Sequence, residues 1–252
     1  MSARESLSVK LCVDRRGGFA LDVAFEAPPG ITILFGPSGS GKSTVLAAIA
    51  GLIHPTSGRV ALGDDVWLDT AGGVDRSIHR RKVAFVFQSL ALFPHLSAVD
   101  NVVYGMDRAL KSAEKRARAE ALLARLRVGH LAARRPPTFS GGEAQRVALA
   151  RAFAMDPRIV LFDEPFSAMD RELRRDLIRD LRDFVAELGV PMIHVTHHRN
   201  EARALGDRVI LLRKGRVVAV GSLDELLPAD LPEDASFAET PMPEGRWARE
   251  RE

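Results

Sequence analysis

Residues 36–43 read Gly-Pro-Ser-Gly-Ser-Gly-Lys-Ser, and these residue types at this spacing suit the binding of nucleotide phosphates. The glycines allow successive backbone N–H groups to turn toward phosphate oxygens, and a helix after the loop would point its positive end at the same place. Lys42 can reach the β and γ phosphates, and the hydroxyl of Ser43 can bind Mg²⁺. The predicted phosphate-binding residues are Gly36, Pro37, Ser38, Gly39, Ser40, Gly41, Lys42, Ser43 and Thr44.

The segments on either side of this loop have the pattern that the motif requires. The apolar run Ile31–Phe35 leads into the loop, and the helix-compatible run Thr44–Ala50 leads out of it. A chance turn rich in glycine and serine is the alternative, but it does not account for a strand before the loop and a helix after it.

A second group of chemistry-bearing residues ends the apolar run Ile159–Phe162. Asp163 can hold Mg²⁺ directly or through water, and Glu164 can orient and deprotonate an attacking water. The alternative is a pair of acids that ends a strand in a solvent-facing turn. That alternative would suffice for Asp-Glu-Pro alone, but the phosphate loop upstream favours the catalytic interpretation.

Two more strand ends carry polar side chains. Gln88 follows the run Val83–Phe87, and its amide can bind Mg²⁺ or the attacking water; a polar strand cap is an equal alternative. His197 follows Met192–Thr196 and can contact a γ-phosphate or the catalytic water. A metal site at His197-His198 is discounted, because adjacent strand residues point to opposite faces. His194 is interpreted as a strand residue with an ordinary hydrogen bond.

Ser140-Gly141-Gly142-Glu143 precedes a predicted helix, Ala144–Met155. The glycines permit close approach of an anion to the backbone, and the amino end of the helix attracts it. An ordinary serine-capped helix start explains the same residues, and taken alone it is the stronger interpretation.

The elements that must position these residues follow an α/β pattern. Leu7–Val13 and Leu21–Phe25 alternate in polarity and predict an antiparallel hairpin. The short β-branched or aromatic runs named above, with Val209–Leu212, predict buried parallel strands flanked by helices. Asp170–Leu188 has one apolar helical face and ends before Gly189. Residues 89–155 read as almost wholly helical, and 228–252 as a poorly ordered tail.

Composition sets broad limits. The 252 residues suit one large α/β domain or one domain with an appendage, and the net charge of +3 does not demand nucleic acid as a partner. The single cysteine, Cys12, excludes an internal disulfide and a cysteine-rich zinc site. Residues 1–6 contain no apolar signal core, so we expect a cytoplasmic location.

The order of these motifs resembles that of the ATP-binding cassette ATPases, over about Leu7–Leu227. The match includes the phosphate loop, Gln88, Phe139-Ser-Gly-Gly-Glu143, Leu161–Glu164, Ser167-Ala-Met-Asp170 and His197. The resemblance implies a P-loop NTPase fold with a mainly parallel sheet, an N-terminal antiparallel β part and an inserted helical subdomain at about 89–155, within a domain of residues 1–227. It also implies a head-to-tail homodimer, in which Ser140, Gly141 and Gly142 of one chain close over ATP and Mg²⁺ held by its partner, with Asp170 at the seam.

Residues 89–105 are similar to importer cassettes, whose corresponding segment receives a cytoplasmic helix of the membrane permease. Leu92, Phe93 and Leu96 are expected to be exposed for this purpose; the alternative is a hydrophobic loop that packs on its own helical subdomain. Trp67, residues 79–82, residues 104–106 and Glu143 look most like the molybdate importers, although sulfate, iron and polyamine importers share much of this pattern.

The importer resemblance implies a peripheral subunit on the cytoplasmic side of the membrane, with permease partners and, indirectly, an external solute-binding protein. The alternative is a soluble cassette ATPase of DNA repair or translation, which would usually add a coiled coil, zinc cysteines or a second cassette. The chain departs from the family at Phe139 (usually leucine) and Glu143 (usually glutamine). It also has no N-terminal tyrosine to stack on adenine, and Phe19 is the candidate ring.

Overall fold

The structure, a computed structural model, describes residues 5–15, 19–87, 89–107, 109–166 and 171–228. They divide into a first unit, from residues 1–81 and 185–252, and a second unit, from residues 82–184. The strands are β1 (Leu7–Arg15), β2 (Phe19–Ala27), β3 (Gly30–Phe35), β4 (Ser57–Leu62), β5 (Asp65–Asp69), β6 (Val74–Asp75), β7 (Val83–Val86), β8 (Ile159–Asp163), β9 (Pro191–Thr196), β10 (Arg208–Arg213) and β11 (Arg216–Gly221). The helices are α1 (Lys42–Ala50), α2 (Ile78–Arg81), α3 (Ala98–Tyr104), α4 (Ser112–Arg125), α5 (Gly141–Phe153), α6 (Arg171–Leu188), α7 (Arg199–Leu205) and α8 (Leu223–Leu226), with 3₁₀ turns at Gly129–Leu131 and Pro136–Thr138.

The strands of the first unit form a mixed sheet in the order β6-β5-β4-β1-β2-β11-β10-β3-β9. The predicted hairpin is confirmed: β1 and β2 pair antiparallel, with Val13 opposite Leu21, while its connecting residues 16–18 lie outside the described part of the chain. The β4–β6 antiparallel strands were not predicted. The sequence pattern for β4 is weak, because this strand starts with polar residues and Gly58. Glycine is needed there, since a Cβ would lie 2.2 Å from the carbonyl oxygen of Lys10.

Parallel strands position the phosphate loop. β3 and β9 run side by side with Phe35 opposite Thr196, and nearly every residue of both strands is buried. Gly36 and His197 therefore leave neighbouring strands at the same edge of the sheet, where ligands of α/β sheets bind.

The second unit contains the parallel pair β7 and β8, with Val86 opposite Phe162, and helices α3, α4 and α5. The prediction that residues 89–155 are almost wholly helical was too broad, because residues 89–97 form no helix and two 3₁₀ turns precede α5. The helix predicted for Asp170–Leu188 is confirmed as α6. It ends where Gly189 adopts a φ of 64°. Among the described residues, no helix combines the length and apolar character needed to cross a bilayer.

A buried arginine ends the helix that follows the phosphate loop. Arg81 donates hydrogen bonds to the carbonyl oxygens of Ala48 (3.1 Å) and Ile49 (2.8 Å), in the last turn of α1. It also binds the Asp75 carboxylate at 3.0 Å and the Arg76 carbonyl at 2.9 Å. Burial lowers the pKa of the Arg81 guanidinium, and the charge of Asp75 opposes that shift. The arginine therefore supplies a donor to Ile49 and a second donor to Ala48, whose carbonyl oxygen also accepts from Gly51 N at 3.1 Å.

Replacing Arg81 with methionine should destabilise the first unit, because the methionine fills similar space but cannot donate to the two carbonyl groups. We expect a loss of about 1–3 kcal/mol in the free energy of unfolding, measured by urea denaturation. Arg80→Met is the matched control, since Arg80 is exposed and should tolerate the change. Equal effects of the two substitutions would show that the Arg81 hydrogen bonds do not stabilise α1.

Candidate nucleotide-binding site

The phosphate loop surrounds the ammonium group of Lys42. The side chain is 6% exposed, and its Nζ donates to the carbonyl oxygens of Gly36 (2.8 Å) and Pro37 (2.9 Å). Gly41, the residue before α1, has a φ of 106° and supplies no side-chain cap. A positive side chain and uncapped backbone N–H groups therefore occupy one loop, as an anion-binding site requires.

Close contacts explain why the loop needs glycine. A Cβ on Gly36 would lie 2.2 Å from the carbonyl oxygen of Leu212 in β10, and Gly215 donates its N–H to the Ser40 carbonyl at 3.0 Å. Gly39 has a φ of 76°, but a Cβ at this position would meet no described atom within 4 Å. The requirement for glycine at position 39 is therefore conformational rather than steric.

The polar groups of the loop suit a phosphate ligand. The hydroxyl of Ser40 is buried and has no hydrogen-bond partner within the described parts of the chain. A buried hydroxyl of this kind is costly unless a partner arrives, and a phosphate oxygen can accept from it. Ser43 is exposed at the start of α1, and Thr44 is half-buried beside it.

His197 lies immediately after β9 and is exposed. The ring centroids of His197 and His198 are 4.1 Å apart, so the argument that these side chains point to opposite faces was wrong. Strand alternation ends at Thr196, and the chain bends at His197. The two imidazoles consequently lie side by side at the loop edge of the sheet.

A buried pair lies next to this loop. The Nε2 of His194 in β9 bonds to the carboxylate of Glu201 in α7, and both side chains are almost wholly buried. The predicted hydrogen bond of His194 is therefore present, and its partner is an ionisable group. The pair fixes α7 against β9. Because β9 precedes His197 and α7 follows it, the chain is held on both sides of this histidine.

In the second unit, Asp163 is the last residue of β8, and both it and Glu164 are half-buried. Glu164 has a φ of 46°, a left-handed conformation that a non-glycine residue adopts only where the surroundings impose it. The two carboxylates thus lie at the end of a strand, as predicted. Gln88 and the motif at 167–170, with Asp170, lie outside the described residues.

The start of α5 is a capping box. Ser140 accepts a hydrogen bond from Glu143 N at 3.3 Å, and the Glu143 carboxylate accepts from Ser140 N at 2.7 Å. This confirms the serine-cap interpretation and leaves room for the anion-binding one, because a Cβ on Gly141 would meet no described atom within 4 Å. The spacing Ser-x-x-Glu could have predicted the box from the sequence.

A histidine extends this capping box. His130, on the 3₁₀ turn Gly129–Leu131, places its Nε2 3.1 Å from the Glu143 carboxylate. The backbone N–H of Ser140 lowers the pKa of the Glu143 carboxyl most, and the His130 imidazole adds to that effect. Sequence reasoning missed this histidine, since thirteen residues and a turn separate the two side chains and no motif joins them.

The segment predicted to receive a permease helix, residues 89–105, is less exposed than expected. Leu92, Phe93 and Leu96 are half-buried, because Asn101 donates to the carbonyl oxygens of Phe93 and Leu96 and draws the loop onto α3. The alternative, a loop packed on its own helical part, is therefore present. The larger apolar exposure lies at Tyr104, which is 67% exposed, with its ring 4.5 Å from that of Phe93.

The comparison with known families decides what this arrangement is. The family model described as ABC transporter matches residues 21–167, more than half of the chain. The chain belongs to the ABC transporter family. The predicted P-loop α/β fold of an ATP-binding cassette is thereby confirmed, with a larger antiparallel part than expected.

Similar proteins include both transport subunits and isolated cassettes. A molybdenum import ATP-binding protein of Azotobacter vinelandii is 44% identical over 217 residues, which are 85% of this cassette and 60% of that protein. The cassette thus spans about 60% of the length of the curated relatives it matches.

Two solved structures are matched over most of their own length. The dimeric, post-hydrolysis structure of an ATP-binding cassette bound to ADP and Pi is 32% identical, with a TM-score of 0.71 and coverage of 86% of this chain and 98% of that one. A cassette from Clostridium perfringens, described as part of an ABC transporter complex, is 27% identical, with a TM-score of 0.78 and coverage of 88% and 90%.

The stabilising contribution of Glu143 should depend on pH. Its carboxyl has a pKa below the ordinary 4.5, so the contribution is complete above that value and is lost as the pH falls through the lower folded pKa. Urea denaturation from about pH 6 to about pH 3 should show the wild-type cassette losing stability relative to Glu143→Gln, whose amide does not titrate. A difference that stays constant over this range would contradict the assignment.

Proposed function

We propose that the cassette is the ATP-binding and ATP-hydrolysing subunit of an importer that takes up a small oxyanion, molybdate. The observation that carries the proposal is the phosphate loop closed around Lys42, in a chain that also has an open, serine-capped helix start at Gly141. One chain with two anion-binding helix starts suits a site that two copies complete together. The names of the molybdenum import relatives, at up to 44% identity, support the substrate.

ATP binds at residues 36–44 in this proposal. The backbone N–H groups of the loop and the Lys42 ammonium hold the phosphates. Ser43, Asp163 and Gln88 would hold Mg²⁺ through a hydroxyl, a carboxylate and an amide oxygen, directly or through water. These oxygen donors fit the hard ligands that Mg²⁺ prefers, and Mg²⁺ would neutralise charge on the phosphates.

Each residue at a strand end has a separate role in hydrolysis. Glu164 accepts a proton from the attacking water, and His197 contacts the γ-phosphate. Gln88 positions the water and links nucleotide state to the segment that follows it. The buried His194–Glu201 pair supports His197, because it fixes the elements before and after the loop.

Two copies then assemble head to tail. Ser140, Gly141 and Gly142 of one copy meet the γ-phosphate of ATP held by the other, and Asp170 lies at the seam. The open space over Gly141 supports this role, since a partner-bound phosphate needs close access to the backbone. The similar cassette bound to ADP and Pi is described as dimeric.

The partner is a membrane permease. A solute-binding protein outside the cell delivers the substrate to this permease. Tyr104 and Met155 are exposed apolar side chains of the second unit and offer contacts for a permease helix. The cassette would then lie on the cytoplasmic side of the membrane. We further propose a domain of residues 1–227, with a helical part at about 89–155 and a separate tail at 228–252.

Glu164→Gln should trap an ATP-bound dimer, because it keeps the phosphate loop and removes the base. With ATP and Mg²⁺, size-exclusion chromatography with light scattering should show a dimer, and hydrolysis should fall by at least about 100-fold. Adding Gly141→Ala should abolish the dimer without loss of monomer stability, because alanine fits the open space and favours a helix by up to about 1 kcal/mol. A monomeric Glu164→Gln variant would refute the composite site.

Purification of the tagged cassette from gently solubilised membranes should recover a polytopic permease. The reconstituted complex should hydrolyse ATP faster when its solute-binding protein is loaded with molybdate. Tyr104→Ala should reduce permease recovery, whereas Leu52→Ala, at another exposed apolar residue, is the control. Stimulation by sulfate, iron or a polyamine would identify that solute, and not molybdate, as the substrate. Recovery of only ribosomal or DNA-bound proteins would refute the transport function.

A further inference from the structure

The Glu143 carboxylate in the capping box of α5 has a histidine neighbour, His130. One Glu143 oxygen accepts from the Ser140 N–H at 2.7 Å, and the other lies 3.1 Å from His130 Nε2. Both oxygens therefore have fixed partners, and the carboxylate has a fixed orientation beside the helix start.

We propose that His130 is a positioning residue for Ser140, the serine that caps α5. It holds the Glu143 carboxylate so that Ser140 and the open backbone at Gly141 face an incoming triphosphate. The inference rests on the proposed function, in which Ser140 meets ATP bound to a second copy of this chain.

The reason is electrostatic. A carboxylate at the amino end of a helix stabilises the free helix, but it repels a triphosphate that approaches the same end. A donor from His130 withdraws electron density from Glu143 and fixes its position away from rotamers that would face the ligand. Glutamine at this position would carry no charge and would not need that control.

The turn that carries His130 is itself anchored. Leu131 is fully buried, and the carbonyl oxygens of Ala132 and Arg134 accept the N–H groups of Val99 and Ala98 at the start of α3. These bonds are 3.0 and 2.8 Å long. His130 is therefore presented to Glu143 from a fixed backbone rather than from a free loop, as a positioning role requires.

Within the described part of the chain, His130 is the one side chain able to carry a positive charge that lies at ion-pair distance from Glu143. Arg134, the next cation along the turn, donates instead to the Thr138 carbonyl at 2.8 Å. Removal of His130 would therefore leave Glu143 bonded to Ser140 alone.

The test uses the full chain with Glu164→Gln, so that ATP-driven dimerisation can be followed without hydrolysis. His130→Ala should raise the ATP concentration at half-dimerisation by about two- to fivefold, the effect expected of one exposed ionic contact. His130→Gln, which keeps a donor, should restore most of the affinity. ATP binding to the monomer, followed with a fluorescent ATP analogue, should not change, because the phosphate loop is intact.

A double-mutant cycle separates positioning from general stability. In the Glu143→Gln background, His130→Ala should have no effect on half-dimerisation, because the charge that the histidine controls is absent. His79→Ala is the control for loss of an exposed histidine, and it should leave dimerisation unchanged.

The outcomes discriminate between the two proposals. If the parent dimerises and His130→Ala has no effect, or has the same effect with glutamine at position 143, the positioning role is wrong and the cassette function stands. If the parent fails to dimerise with ATP and Mg²⁺, the composite site is wrong and the role of His130 fails with it.

Discussion

The buried ammonium of Lys42 is the constraint on which the rest of the first unit depends. A charge that is nearly excluded from water must have acceptors close by, and the carbonyl oxygens of Gly36 and Pro37 supply them. The loop can bend around the lysine only because Gly36 lies against the Leu212 carbonyl without a side chain. The same charge that shapes the loop is available to a phosphate, so folding and binding use one group.

The sheet places the chemistry of each unit at strand ends. In the first unit, β3 and β9 bring the phosphate loop and His197 to one edge, and the pair His194–Glu201 fixes the helix beyond. In the second unit, β8 ends in Asp163, and α5 starts with Ser140 and an open Gly141. Each of these candidate side chains thus lies at the end of a buried strand or at the start of a helix, where backbone geometry is determined by packing.

Much of this arrangement was predictable, because the motifs carry their own physical requirements. A loop that needs glycine at fixed positions identified residues 36–44, and buried apolar runs identified the strands that contain Phe35 and Thr196. Prediction failed where tertiary contacts decide. Leu92 is half-buried because Asn101 bonds to the neighbouring loop backbone, and His197 lies beside His198 because the strand has ended. The contact of His130 with Glu143 depends on a turn that no local pattern specifies.

The arginine at the far end of α1 has a mechanical consequence. The two carbonyl groups that Arg81 binds, of Ala48 and Ile49, lie six and seven residues after Lys42 in α1, a distance of about 9–10 Å along the axis. A hydrogen-bonded helix of this length is stiff against compression. With both ends fixed, α1 behaves as a rod, and any axial displacement at its loop end must reappear at the Arg81–Asp75 pair. A ligand that displaced the loop would therefore also load the opposite end of this helix.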